Sequence, residues 1–193
     1  MGKHTGLFFG TFNPIHMGHL ILAQYMLEFT ALDEVWFMVT PQSPFKKNQK
    51  LADDRERLHM VREALESDPY HMRASDDEFY LPKPSYTITT LIHLSEKYPD
   101  RQFSLIVGQD NLKGFKKWRN WERILERHQL FVYPRKGASG SDLEIHPHVH
   151  LTEAPEMEIS STFIRKAVNE GRNVSYMVPP KVWEYIQHNG LYR

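Results

Sequence analysis

Gly10-Thr11-Phe12-Asn13-Pro14-Ile15-His16-Met17-Gly18-His19 follows directly on a short apolar run, Leu7 to Phe9, and leads into a stretch of helical spacing that begins near Met17. A β-forming run, a turn bearing Gly and Pro, and a helix start, in that order, predict the opening of a doubly wound α/β sheet. In that fold such a turn is where phosphate binds. Gly10 is expected to let the backbone turn tightly, Pro14 to stiffen the loop, and Gly18 to leave room for an approaching anion. His16 and His19 stand three apart at the helix start, so both imidazoles can face one ligand. Imidazoles donating to phosphate oxygens would stabilise charge that develops as pyrophosphate leaves, and the positive end of the helix would add to them.

Outward from this segment the same alternation continues. Apolar runs at Val35 to Val39, Phe103 to Val107 and Leu130 to Tyr133 read as buried parallel strands. Between and after them lie stretches of helical spacing: Leu20 to Phe29, Arg55 to Glu66, Ile88 to Tyr98 and Trp121 to Arg127. A further strand near Val149 to Thr152 and helices over Ser160 to Glu170 and Pro180 to His188 close the pattern. The expected fold is a Rossmann-like, doubly wound parallel sheet with helices on both faces and ligands at the carboxyl ends of the strands. Thr40 to Asp54 and Arg135 to Pro147 read as surface loops, the first placed where it could close over substrate.

The bulk numbers bound the function. With 193 residues, 40% of them hydrophobic, the chain can bury one sizeable core but is short for two, so one domain over 1–193 is expected. Lys plus Arg equals Asp plus Glu, 24 against 24, which leaves no bulk footprint for a polyanion and disfavours a nucleic-acid partner. The absence of cysteine excludes disulfides, thiolate zinc sites and thiol catalysis. The opening MGKHTGLFFGTF lacks a secretory apolar region, and no run approaches the roughly 18 residues needed to span a bilayer, so a cytoplasmic protein with no membrane partner is expected.

A second anion site is suggested by Ile159-Ser160-Ser161-Thr162-Phe163-Ile164-Arg165. Ser160 or Ser161 is a natural helix N-cap, and free N–H groups, hydroxyls and a guanidinium fork suit the outer phosphates of a nucleotide. Gly108-Gln109-Asp110-Asn111-Leu112 follows a strand, which puts Asp110 where a carboxylate could accept from ribose hydroxyls. Trp118 offers either a flat face for stacking on an electron-poor ring or a further side chain for the core. Trp121, at helical spacing with Leu125, is read as core packing. His146, His148 and His150 alternate and on a strand would share one face. A solvated edge strand is preferred to a metal site there, because no fourth ligand stands at suitable spacing.

The Gly-Thr-Phe-Asn-Pro-x-His-x-Gly-His segment and the Ile-Ser-Ser-Thr-x-Ile-Arg segment together resemble the two signatures of the HxGH nucleotidyltransferases. The Pro84-Ser85-Tyr86-Thr87 element, with Gly108, Asp110 and Trp118, is similar to the nicotinate-mononucleotide adenylyltransferase branch. The resemblance implies transfer of the adenylyl group of ATP to nicotinate mononucleotide by direct attack on the α-phosphorus, with no covalent enzyme intermediate and with Mg²⁺ carried on the triphosphate. It assigns His16, His19 and Arg165 to catalysis. Gly10, Thr11, Phe12, Gly18, Gly108, Asp110, Ser160, Ser161 and Thr162 would bind ATP. Asn13, Lys46, Tyr86, Thr87, Ile88, Trp118, Arg119 and Arg135 would bind the acceptor, its carboxylate meeting backbone N–H groups near Thr87, Ile88 and Arg119. Many members of the branch carry Pro-His-Lys where this chain has Pro44-Phe45-Lys46, so a polar contact from that histidine is absent. Nicotinamide mononucleotide or phosphopantetheine as acceptor, and a non-catalytic nucleotide sensor, are the rival readings.

Overall fold

Alternate residues of the strands carry their side chains to opposite faces of one sheet, and both faces are buried. A computed structural model gives this architecture and describes residues 2–41, 51–66, 71–138 and 140–193. In chain order the elements are β1 (Lys3–Gly10), α1 (Met17–Phe29), β2 (Glu34–Val39), α2 (Asp54–Leu65), β3 (Met72–Ser75), α3 (Thr87–Lys97), β4 (Arg101–Gly108), α4 (Gln109–Lys113), α5 (Trp121–Arg127), β5 (Leu130–Tyr133), β6 (Val149–Leu151), α6 (Ser161–Asn169) and α7 (Pro180–His188). Short 3₁₀ turns occupy Asp77–Tyr80, Phe115–Lys117 and Asp142–Ile145.

The six strands form one sheet in the order β3-β2-β1-β4-β5-β6, with every pairing parallel. Phe8, Phe37, Ile106 and Phe131 face α1, α2, α6 and α7, while Leu7, Trp36, Leu105 and Val132 face α3, α4 and α5. Fully burying one such side chain contributes roughly 1.5–3 kcal/mol, so this alternation fixes the register of the sheet. Leu7 stands opposite Leu105 and Trp36 across the central strands. The strand order reverses its direction of growth between β1 and β4, and the crevice beyond their carboxyl ends, at Gly10 and Gly108, is where this topology receives ligands.

The structure adds two elements to those read from sequence. β3 is the four-residue edge strand Met-Arg-Ala-Ser, in which Met72 is the one buried large apolar side chain, so no apolar run marks it. Gln109–Lys113 forms a short helix directly after β4. β6 is an edge strand, as expected, but the three histidines near it do not share a face. His150 is exposed with its ring stacked on Phe131, whereas His146 and His148 lie in the approach to the strand and His148 Nδ1 bonds the carbonyl of Leu125. No helix among the described residues is long and apolar enough to cross a membrane.

Candidate active site

Beyond Gly10 the chain doubles back at Phe12, whose φ of 43° lies in the left-handed region. A bulky side chain there costs roughly 1–2 kcal/mol, which burial of the ring offsets. Phe12 is 2% exposed and packs edge-on against Phe8 and His19. The turn residue is therefore Phe12 and not Gly10, as had been expected from sequence. Gly10 is needed because a Cβ there would come within 2.8 Å of the Phe12 ring. Gly18 similarly makes room for a neighbouring ring, since a Cβ at that position would lie 3.1 Å from Nδ1 of His16.

His16 is the N-cap of α1 and His19 stands in its first turn. Their rings stack, with centroids 3.7 Å apart and planes inclined by 25°. The backbone N–H of His16 donates to Nδ1 of His19 at 3.2 Å. That bond fixes the neutral tautomer of His19, leaving its proton on Nε2 as a donor. Burial, followed by the nearby Arg135 guanidinium, lowers the pKa of His16 to about 4. Burial, His16 and Arg135 together hold His19 well below its ordinary range. Without an anion beside them, both imidazoles are neutral near pH 7.

The Ser-Ser-Thr segment meets this loop directly. Ser160 caps α6, its Oγ accepting from the N–H of Phe163 at 3.2 Å. Ser161 Oγ donates to the carbonyl of Pro14 at 2.9 Å, and Arg165 Nη1 donates to the carbonyl of Asn13 at 2.8 Å. Arg165 also reaches the Thr162 hydroxyl at 3.3 Å. Two stretches 147 to 152 residues apart in sequence are thus bonded into one cradle. Arg135, just past β5, lies over the Tyr133 ring, with its Nε 4.0 Å from Oδ1 of Asp110 in the first turn of α4. Sequence reading grouped Arg135 with the acceptor. In the structure its guanidinium also lies close enough to His16 and His19 to help lower the pKa of both.

Next to the cradle a cleft of about 600 Å³ opens between the ends of β1 and β4. Gly10, Thr11, Gly108, Tyr86, Thr87, Trp118 and Arg119 all line it. Thr87 and Ile88 are the first two residues of α3, so their N–H groups have no acceptor within the helix. Trp118 packs one side on Phe115, with centroids 4.8 Å apart, and Arg119 lies over the Tyr86 ring at 5.0 Å. Trp121 is partly buried against the core, as expected. Lys46 lies outside the described residues.

Among the residues that organise these parts, sequence reading picked out Asn13, as an acceptor contact, but missed Arg57 and Glu78. Arg57 is fully buried, positioned one turn into α2, which is capped by Asp53 and Glu56. Its guanidinium donates to the carbonyls of Thr11 (2.5 Å), Thr40 (3.0 Å) and Ala52 (3.1 Å) and to the carboxylate of Asp54. One side chain thereby joins the loop after β1 to the end of β2 and the start of α2. Asn13 complements it, its Oδ1 accepting from the N–H of Ala52 at 3.1 Å and the Tyr192 hydroxyl at 2.9 Å. Glu78 and Ser85 also line the cleft. No local pattern marks Arg57 or Glu78, since an isolated arginine on an amphipathic helix and a glutamate beside Asp76 and Asp77 both look like solvated surface.

Among the described residues, the buried side-chain polar atoms that lack a partner are Asn13 Nδ2, His16 Nδ1, Glu78 Oε2, Ser85 Oγ and Arg135 Nε. All five belong to the cradle or the cleft. Buried polar atoms are otherwise almost always paired, because an unpaired one costs about 1–3 kcal/mol, so their concentration here marks a surface shaped for a polar ligand.

Residues 7–167 match the family model described as cytidylyltransferase-like. The chain is similar to a probable nicotinate-nucleotide adenylyltransferase of Flavobacterium johnsoniae, with 55% identity over 97% of this chain and 98% of that one. It is also similar to one of Bacteroides fragilis, with 50% identity over 94% of this chain and 90% of that one. Its fold matches that of Plasmodium falciparum nicotinic acid mononucleotide adenylyltransferase complexed with NaAD, at a TM-score of 0.81 and 18% identity, covering 98% of this chain and 97% of that one. Matched by the family model over most of its length and by these bacterial relatives over nearly all of it, the chain belongs to the cytidylyltransferase-like nucleotidyltransferases, in the group of the nicotinate-nucleotide adenylyltransferases.

Proposed function

We propose that the protein transfers the adenylyl group of ATP to nicotinate mononucleotide, giving nicotinate adenine dinucleotide and pyrophosphate. The observation that carries this reading is the bonding of the Ser161 and Arg165 segment to the loop that bears His16 and His19. In the reaction, a phosphate oxygen of the mononucleotide attacks the α-phosphorus in line as the bond to the pyrophosphate oxygen breaks. Catalysis rests on positioning and on charge stabilisation, and no protein atom is transferred to phosphorus.

The Nε2–H of His19 donates to the phosphate oxygens on which negative charge grows, with His16 stacked beside it. Ser161, Thr162, Arg165 and the N-terminus of α6 hold the outer phosphates, and Arg135 adds its charge from the β5 side. The pyridine ring lies against Trp118, and the N–H groups of Thr87, Ile88 and Arg119 meet its carboxylate. These neutral donors match an anionic acceptor better than an amide, whose NH₂ would be left facing other donors.

A divalent ion, Mg²⁺ in this proposal, would neutralise part of the triphosphate charge when bound. Among the described residues no three His, Asp or Glu side chains gather as a ligand set, and imidazole and guanidinium donors suit phosphate oxygens. Phosphate oxygens and water would therefore hold the ion.

A pyrophosphate-release assay with ATP and a panel of nicotinate mononucleotide, nicotinamide mononucleotide and phosphopantetheine tests the proposal. The highest kcat/KM is expected for the nicotinate acceptor. Turnover led by phosphopantetheine, or no turnover at all, would reject it.

A further inference from the structure

Asp77 and Glu78 stand side by side on the 3₁₀ turn that follows β3, each is 2% exposed, and both bond α3. Oε1 of Glu78 accepts the hydroxyl of Thr90, at the end of the helix's first turn, at 2.7 Å. Oδ1 of Asp77 accepts from Nζ of Lys97, the last residue of the helix, at 2.6 Å. Nε2 of His93 lies 3.7 Å from the same oxygen. Thr90, His93 and Lys97 follow i, i+3, i+7 spacing, so they make one stripe about 10 Å long on one face of α3. The turn is itself tied to the sheet. Ser75, the last residue of β3, donates its hydroxyl to Oδ2 of Asp77 at 2.5 Å and accepts the N–H of Asp77 at 3.2 Å.

Apolar packing alone would hold α3 less firmly in this place. Leu91 and Leu94 are fully buried and press the helix onto the sheet. Such contacts are non-directional and oppose sliding along the helix axis less sharply than hydrogen bonds, which weaken steeply once their geometry is lost. Two buried carboxylates are a poor device for stability as such, since apolar side chains of similar volume often serve as well or better. What the pair adds is a fixed position for the helix along its axis. The amino terminus is the part of α3 that faces the cleft: Thr87, one turn before Thr90, lines it, and the N–H groups of Thr87 and Ile88 have no acceptor within the helix.

We propose that Asp77 and Glu78 are positioning residues for acceptor selection, holding α3 through Lys97 and Thr90 so that its two free N–H groups meet the carboxylate of the acceptor. This inference rests on the acceptor reading above and deepens it. Hydrogen bonds to a carboxylate are about twice as strong as those to a neutral amide oxygen, so a shift of the helix end costs an acid acceptor more than an amide.

The test compares wild type with Thr90→Val, which removes the hydroxyl at nearly constant volume, with Thr90→Ser, which keeps it, and with Lys97→Met. Each is assayed for kcat and KM with nicotinate mononucleotide, nicotinamide mononucleotide and ATP, and for Tm. Thr90→Val is expected to lower kcat/KM about tenfold for the nicotinate acceptor, mainly through its KM, and less than about threefold for the amide. The KM for ATP should be unchanged, and Thr90→Ser should recover most of the loss. Lys97→Met should lower the ratio of acid to amide turnover in the same direction. The Lys97 side chain is half exposed, so that variant reads the second clasp even if Thr90→Val does not fold. Losses shared equally by acid and amide, a KM for ATP that rises with that of the acceptor, or a Thr90→Ser no better than Thr90→Val would overturn the assignment. So would an unchanged ratio in Lys97→Met. A wild type that turns over no pyridine mononucleotide would instead refute the underlying function, a result distinct from all of these.

Discussion

Replacing Arg57 with methionine keeps the aliphatic stem and removes the guanidinium, and its consequences can be worked from the bonds that guanidinium makes. Arg57 has no exposed surface, and it serves the carbonyls of Thr11, Thr40 and Ala52 together with the Asp54 carboxylate. Deleting one partner of a buried ionic network costs about 3–5 kcal/mol, because the remaining groups stay desolvated without compensation. For a chain of this length each kcal/mol corresponds to about 2–4 °C, so Tm is expected to fall by about 6–20 °C. Activity should fall further than stability alone predicts. Thr11 and Thr40 both line the cleft, and a displacement of about 1 Å in such a site can cost about a hundredfold in rate. The measurement pairs thermal unfolding followed by circular dichroism with steady-state kinetics taken well below the lowered Tm. Arg57→Lys should recover little, since an ammonium lacks the planar fork that reaches several carbonyls at once. A methionine variant that melts within 2 °C of wild type and retains its kcat/KM would refute the role given to this side chain.

His19→Ala should lower kcat by on the order of a hundredfold with Tm nearly unchanged, and near-normal turnover would remove His19 from the mechanism. The imidazoles also set a pH dependence of stability. His16 titrates near pH 4 in the fold against an ordinary value of 6.5, so between those values the unfolded chain binds a proton that the folded chain does not. Stability is therefore full above pH 6.5 and declines as pH falls toward 4, by up to about 1.4 kcal/mol per pH unit for each such imidazole. A urea midpoint that does not change between pH 7 and pH 4.5, or a decline no shallower in His16→Asn than in wild type, would contradict this. Tyr192→Phe deletes the hydroxyl bonded to Asn13 Oδ1 and should cost about 1 kcal/mol, with a several-fold rise in KM for ATP or acceptor; unchanged urea midpoint and kinetics would show the contact to be idle.

What could be read from the sequence was what neighbouring residues encode. The glycines, proline and histidines of residues 10–19 declare a strand, a turn and a helix start within one short window, and the alternation of β-forming runs with helical spacing carried the sheet. A cap at Ser160 or Ser161 was legible for the same reason, and the structure places it at Ser160. β3 was not, because Met72–Ser75 sits at the edge of the sheet and has little to bury. Arg57, Glu78 and the Tyr192 contact with Asn13 were invisible for a different reason: each has its role through partners brought near by chain reversal, 12 to 179 positions away in sequence. Arg135 was picked out, but its nearness to the two imidazoles was not, since only the packing of β5 beside β4 brings its guanidinium up to them.

The clasp between α6 and the loop after β1 has a bearing on how the protein acquires its ligand. Closing contacts that span most of the chain carries a large entropic cost, because the intervening segment must be ordered. A partly folded chain with the sheet in place but α6 undocked would own half of an anion pocket and capture nucleotide poorly. Nucleotide would therefore select the finished molecule, adding about 2.7 kcal/mol at a hundredfold excess over Kd. Stabilisation gained only after the transition state appears as slower unfolding, so an unfolding rate that falls as ATP rises would show that the clasp closes last.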